Sequence, residues 1–153
     1  MSGSDSTDSL SVFERWYAAH ESRDTAALAA VLSDDVQVKS LFRAKAASGR
    51  EAAIAHFLGV NETFSDLSMS LTCAPAVTRD RVLVEVVFSG AFTGELAWQG
   101  TVHAGNGRAF EVPGVAVIRI EDGQVCSVQT LFDRDAWLSQ VGIDPVPAVR
   151  AAH

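Results

Sequence analysis

Two histidines stand where a side chain could move a proton. His20 closes an apolar stripe of Val12, Phe13, Trp16 and Tyr17 on a helix expected from about Ser9 to Ser22. His56 lies in a second stripe, with Ala53, Phe57, Val60 and Phe64, on a helix expected from Glu51. Imidazole titrates near neutral pH, so either ring can take and return a proton within reach of a substrate. Each also has a plain structural reading. His20 can cap helix-end carbonyls or meet solvent, and His56 can be a buried ring satisfied by a carbonyl. Thr130 and Ser40 add hydroxyls, and Trp16 adds an indole N–H and a π face. The four histidines and the two cysteines, Cys73 and Cys126, show no metal-ligand spacing. No nucleophile-elbow, phosphate-loop or dinucleotide-binding motif occurs, and no cofactor is expected.

The elements that must position these groups are legible in turn. Phe110 to Asp133 reads as two long strands joined at Glu121-Asp122-Gly123-Gln124, since Asp-Gly between β-rich runs marks a tight hairpin. Alternation puts Val112, Gly114, Ala116, Ile118, Cys126, Val128, Thr130 and Phe132 on one apolar face. Gly114 and Ala116 leave room above the sheet, for a side chain from elsewhere or for a ligand. Val84, Val86 and Phe88 share a face of a long strand expected from Arg81 to Ala97, and a strand at Leu67 to Val77 precedes it. Asp24 caps a short second helix, Asp133 caps a last one, and Ser48 with Glu51 fits a capping box. Val36 to Leu41 is a strand carrying Ser40, and Phe42 to Ala47 is a short strand or a loop. Trp98 to Arg108, with three glycines, reads as a mobile lid that could close Trp98 and His103 over an apolar ligand.

At 153 residues, 48% hydrophobic and 20% charged, the chain fits one globular domain. Residues 1–9 read as a disordered head, 10–142 as the domain and 143–153 as a tail. A net charge of −7 with no basic stripe argues against a nucleic-acid partner. No apolar run reaches membrane-spanning length, and the polar opening lacks a signal-peptide pattern, so a cytoplasmic protein with reduced core thiols is expected. An outward sheet face of Leu83, Val87, Val115, Val117 and Leu131 is too apolar for water and implies a homodimer.

The order helix, helix, strand, helix, then long antiparallel strands is α+β: a curved antiparallel sheet with helices packed on its concave face. With the stretches GREAAIAHF, FSDLSMSL, DRVLVEVVFSGAFTGE, VIRIEDGQV and DRDAWLSQVG, it resembles the SnoaL-like polyketide cyclases. These share a cone-shaped α+β barrel with nuclear transport factor and ketosteroid isomerase. The resemblance implies a pocket between the helices and the concave sheet face. Trp16, Ser40, Phe57, Val84, Val86, Phe88, Trp98, Gly114, Ala116, Ile118, Val128 and Phe132 would line it, with His20, His56 and Thr130 as its catalytic candidates.

The resemblance also shows what is missing. The aspartate acid/base of the aldol cyclases corresponds to Thr130, and its glutamine and histidine partners correspond to Gly114 and Ala116. The tyrosine, base and protonated aspartate of ketosteroid isomerase correspond to Trp16, Ser40 and Ala116. The implied function is a ring-forming enzyme that holds a small apolar polyketide or polyene in a reactive, Diels–Alder-like conformation. A non-catalytic binding domain, an aldol cyclase, an isomerase and an epoxide-opening enzyme of the same fold remain alternatives.

Overall fold

The computed structural model describes residues 2–40 and 46–144. Helices α1 (Ser2–Ser22) and α2 (Thr25–Val31) open the chain, followed by strands β1 (Leu32–Lys39) and β2 (Ala47–Ser48) and helix α3 (Arg50–Thr63). Strands β3 (Phe64–Leu71), β4 (Ala76–Val77), β5 (Arg81–Phe92), β6 (Glu95–Trp98), β7 (Thr101–Ala104), β8 (Ala109–Glu121) and β9 (Gln124–Phe132) come next. Helix α4 (Arg134–Gln140) ends the series. The main sheet runs β2-β1-β9-β8-β5-β3, with β4 also on β5, while β6 and β7 form a separate hairpin. The α+β architecture therefore stands, with two refinements. The sheet curves without closing into a barrel, and β1 pairs β9 in parallel within an otherwise antiparallel ladder.

Local chemistry explains most of these boundaries. The Ala27 N–H donates to Asp24 Oδ1 and the Ala136 N–H to Asp133 Oδ1, both at 3.0 Å, so each aspartate satisfies an orphan donor of its helix. Asp122 and Gly123 both take positive φ, 52° and 73°, as the two-residue hairpin turn requires. The face of α1 bearing Val12, Phe13, Trp16 and Ala19 is buried, as is that of α3 bearing Ala53, Phe57 and Val60.

Other expectations change. The first helix begins at Ser2 rather than near Ser9, so the segment read as a disordered head continues it; that polar stretch has no apolar period to mark it. Ser48 does not cap α3. It joins β2 and its hydroxyl donates to Gln37 Oε1 at 2.8 Å, while Gly49, at φ 92°, takes the cap position. The segment Leu67–Val77 ends as a strand at Leu71, and Arg81–Ala97 breaks after Phe92. The expected lid from Trp98 is largely the second strand of a hairpin, turned at Gln99-Gly100. Its return is pinned: the Gly105 N–H donates to Gly94 O, and those of Asn106 and Gly107 to Phe92 O.

Cys73 is exposed beyond β3 and donates to Glu85 Oε2 at 3.2 Å, so it is no core thiol; Cys126 is half-buried, and both are free. A bulge explains Cys126. Arg119 pairs Ser127 but Ile120 pairs Val125, so the extra residue reverses the parity and turns Val125 inward. The Phe42–Ala47 reading falls mostly outside the described residues. Ile143, read as the start of the tail, is buried in the core, and residues 145–153 are not described. No described helix is long and apolar enough to cross a membrane.

A pocket between the helices and the curved sheet

The concave side of the sheet has two unlike halves. One is solid. Phe64, Phe92, Phe110, Phe132 and Trp137 meet edge-on or tilted, with ring centroids 5.4–6.2 Å apart. The other half is open: a cleft lies under α1, α2 and α3. Phe88 stands between the halves. Its ring lines the cavity on one side and meets Phe132 at 5.4 Å on the other.

The room over Gly114 is thus taken by a side chain. A Cβ built on Gly114 would lie 2.7 Å from Phe88 Cε2 and 3.1 Å from its Cδ2, so the glycine leaves that ring the space it occupies. Neither Gly114 nor Ala116, which is fully buried, reaches the cavity.

Of the residues expected to line the pocket, the structure brings together Trp16, His20, Ser40, His56, Phe57, Phe88, Val128 and Thr130. Val84, Val86, Ala116 and Ile118 are packed in the core instead, because the helices cover β5 and β8 directly there. Phe132 belongs to the aromatic half, against Trp137 at 5.8 Å. Trp98 lies outside the cavity lining, with the Arg134 guanidinium 5.1 Å above its ring, and His103 is half-buried on β7. Sequence reading missed Leu28, Leu32 and Val38, and the polar pair Asn61 and Ser68.

The walls are mostly apolar, and their polar atoms sit at two stations. One station joins β1, β9 and α3, where Ser40, Thr130 and His56 line the cavity. Thr130 Oγ1 is buried and has no hydrogen-bond partner among the described residues. A buried hydroxyl without a partner is costly, and this one can both donate and accept. The other station lies where α1 meets β3 and α3, and holds His20, Asn61 and Ser68. The His20 ring packs between Trp16 and Phe57, at 5.0 and 5.1 Å. Its Nδ1 faces the Glu21 carboxylate at 3.4 Å. Asn61 Nδ2 donates to Phe57 O at 2.8 Å, and its Oδ1 accepts from Arg23 Nε at 3.0 Å.

Burial raises the Glu21 carboxyl, but hydrogen bonds from His20, Ser68 and the Met69 backbone outweigh it, and its pKa ends below the ordinary 4.5. Burial, and after it the Glu21 charge, pushes the Tyr17 phenol up. Tyr17 donates to Met69 O at 2.7 Å and ties α1 to β3. Among the described residues no cluster of three or more His, Cys, Asp or Glu side chains could hold a metal ion.

A curved sheet with three helices over an apolar cleft is the fold of the ketosteroid isomerase and nuclear transport factor group. A ketosteroid-isomerase-like protein from Catenulispora acidiphila superposes with a TM-score of 0.69 at 19% identity, covering 86% of this chain and 92% of its own. Within that group the chain belongs to the SnoaL-like domain family, whose sequence profile matches residues 13–128. A provisionally named SnoaL-like polyketide cyclase from Jannaschia sp. CCS1 superposes at 0.76 with 21% identity, covering 92% of this chain and 95% of its own. A provisionally named polyketide cyclase from Xanthomonas campestris pv. campestris gives 0.74 at 23%, covering 90% and 99%. No curated protein sequence matches the chain.

Proposed function

We propose that the chain is a ring-forming cyclase acting on a polyketide-derived, polyene-like intermediate. The observation that carries this reading is the cavity itself. Its walls are mostly apolar and hold few, separated hydrogen-bonding groups, the kind of lining that takes an apolar small molecule. Such walls fold a flexible chain back on itself, and orientation alone can lower a barrier by several kcal/mol. Thr130 Oγ1 would donate to a substrate carbonyl and draw electron density from the conjugated double bond beside it. Two carbon–carbon bonds then form from π electrons of the same molecule, with no net proton transfer. The position of the aldol aspartate carries Thr130, and its partner positions carry Gly114 and Ala116, so the aldol set does not compete with this course. In substrate class the protein is similar to the small cyclases of polyene and polyether pathways, the indane-forming cyclase of indanomycin biosynthesis among them.

Single-turnover ring closure of a linear polyene bearing a terminal carbonyl tests the reading. Ala53→Leu and Val60→Phe place bulk in the cavity and should nearly abolish closure while circular dichroism stays unchanged. Thr130→Val should slow it by about 100- to 1,000-fold, the loss of one donor. A polyene bound and returned unchanged would make the chain a carrier, and closure surviving in both filled variants would place the reaction elsewhere.

A further inference from the structure

A site that works by shape has no evident use for Glu21, yet the fold holds this side chain firmly. It follows His20 at the end of α1 and is half-buried. Its Oε1 accepts from Ser68 Oγ at 2.7 Å and from the Met69 N–H at 3.2 Å. Its Oε2 shares the Met69 N–H at 3.3 Å and faces His20 Nδ1 at 3.4 Å. Ser68 and Met69 belong to β3, so a strand 47 and 48 residues away holds the carboxylate in place.

The consequence for His20 follows from donor and acceptor types. A carboxylate only accepts, so the His20 nitrogen facing it is the one that carries hydrogen. Neutral imidazole has one N–H, so Nε2 is left with a bare lone pair. Trp16 and Phe57 flank the ring, which restricts approach to its edge. That ring is part of the cavity wall, and Ser68 and Asn61 line the same station. The 3.4 Å separation is at the long end of hydrogen-bond distances.

We propose that His20 Nε2 is a proton acceptor built into the cavity and that Glu21 is its positioning residue, held in turn by Ser68 and the Met69 N–H. The ligand class that fits is an apolar body carrying one acidic hydrogen: a phenol, an enol or an enolisable 1,3-dicarbonyl. The proton passes from ligand oxygen or carbon to Nε2, leaving an enolate or phenolate and an imidazolium. The same proton returns to the ligand before release, so no further reactant is consumed. This assignment rests on the reading of the cavity as a polyketide-type site and adds to it an end with defined polarity.

The test uses two probes of equal shape, 2-naphthol and naphthalene, titrated into the full chain. The wild type should bind 2-naphthol at least tenfold more tightly. His20→Leu should erase that preference. Glu21→Gln should cut the preference for 2-naphthol over naphthalene at least fivefold, and Ser68→Ala by less. Nitrogen-15 spectra of the His20 ring should show the Nδ1–H tautomer in the wild type and a mixture in Glu21→Gln. These spectra need no ligand, so they read the Glu21 contact whether or not the cavity takes a polyketide. Equal binding of the two probes by the wild type, or an unchanged tautomer in Glu21→Gln, would overturn the proposal. Failure of both probes to bind the wild type would overturn the cavity reading and this assignment together.

Discussion

Replacing Gly114 with alanine is the sharpest test of how the sheet divides its concave side. Gly114 sits opposite Val86 on β5 and Phe132 on β9. The added methyl would lie 2.7 Å from Phe88 Cε2, and it would press on the carbonyl oxygen of Leu131 as well. Leu131 is held in the ladder opposite Val115, so that oxygen cannot retreat without loss of strand pairing. Overpacking of this kind costs ~1–3 kcal/mol, and a backbone clash puts Gly114→Ala in the upper part, ~2–3 kcal/mol. For a domain of this size that is a fall in melting temperature of roughly 5–10 °C. Urea unfolding followed by circular dichroism measures it, and an unchanged slope would show that the unfolded state is not what moved. The same substitution in a Phe88→Ala background isolates the ring. Phe88→Ala alone should cost about 3–5 kcal/mol, and in its presence Gly114→Ala should cost ~1 kcal/mol less than in the wild type. A Gly114→Ala protein within ~0.5 kcal/mol of wild type, or an equal cost in both backgrounds, would refute the argument that Phe88 fills the space above this glycine.

Two further expectations concern charge and surface. Because Glu21 titrates below its ordinary value in the folded chain, the stability it adds is full above the unfolded value and is lost as pH falls through the folded one. The stability gap between wild type and Glu21→Gln in urea should therefore be largest near neutrality and shrink below about pH 4.5; a gap that widens in acid would reverse the sign and refute it. On the outer sheet face Leu83 pairs Val117 and Val115 pairs Leu131, and both leucines are 43% exposed. This band should be the contact of a homodimer that Leu83→Lys with Leu131→Lys dissociates in sedimentation, and a monomeric wild type at micromolar concentration would count against it.

The parts of the fold set by short-range chemistry could be read from the chain alone. Asp122-Gly123 announced its turn, and Asp24 and Asp133 announced their helices, because each acts within a few residues. The Ser48 and Glu51 pattern misled because the side chain of Ser48 had a better partner across a strand, in Gln37. Alternation held along the last hairpin until the bulge beside Cys126, which no residue type marks. The lining of the cleft was legible where a stripe carried it, as with His20 and His56, and blank where it depended on contact across the fold. Glu21 lies one position past the α1 stripe, and nothing near it hints at Ser68. Small residues at Gly114 and Ala116 indicated room, but only the packed structure shows that an aromatic ring occupies it.

The parallel pairing of β1 with β9 also bears on how the chain must be made. Val38 is synthesised early, yet its neighbour in the sheet is Val128, and Lys39 lies beside Gln129. Until the final hairpin leaves the ribosome, the two residues of β2 are the one sheet partner of β1 among the described residues. Three helices are by then complete, and their apolar faces have an unfinished sheet to cover. Contacts between such distant segments close slowly, and the exposed faces invite association in the meantime. A nascent chain that stalls before residue 124 therefore carries the helices, β3 and β5 around the cavity without Val128 and Thr130 of β9.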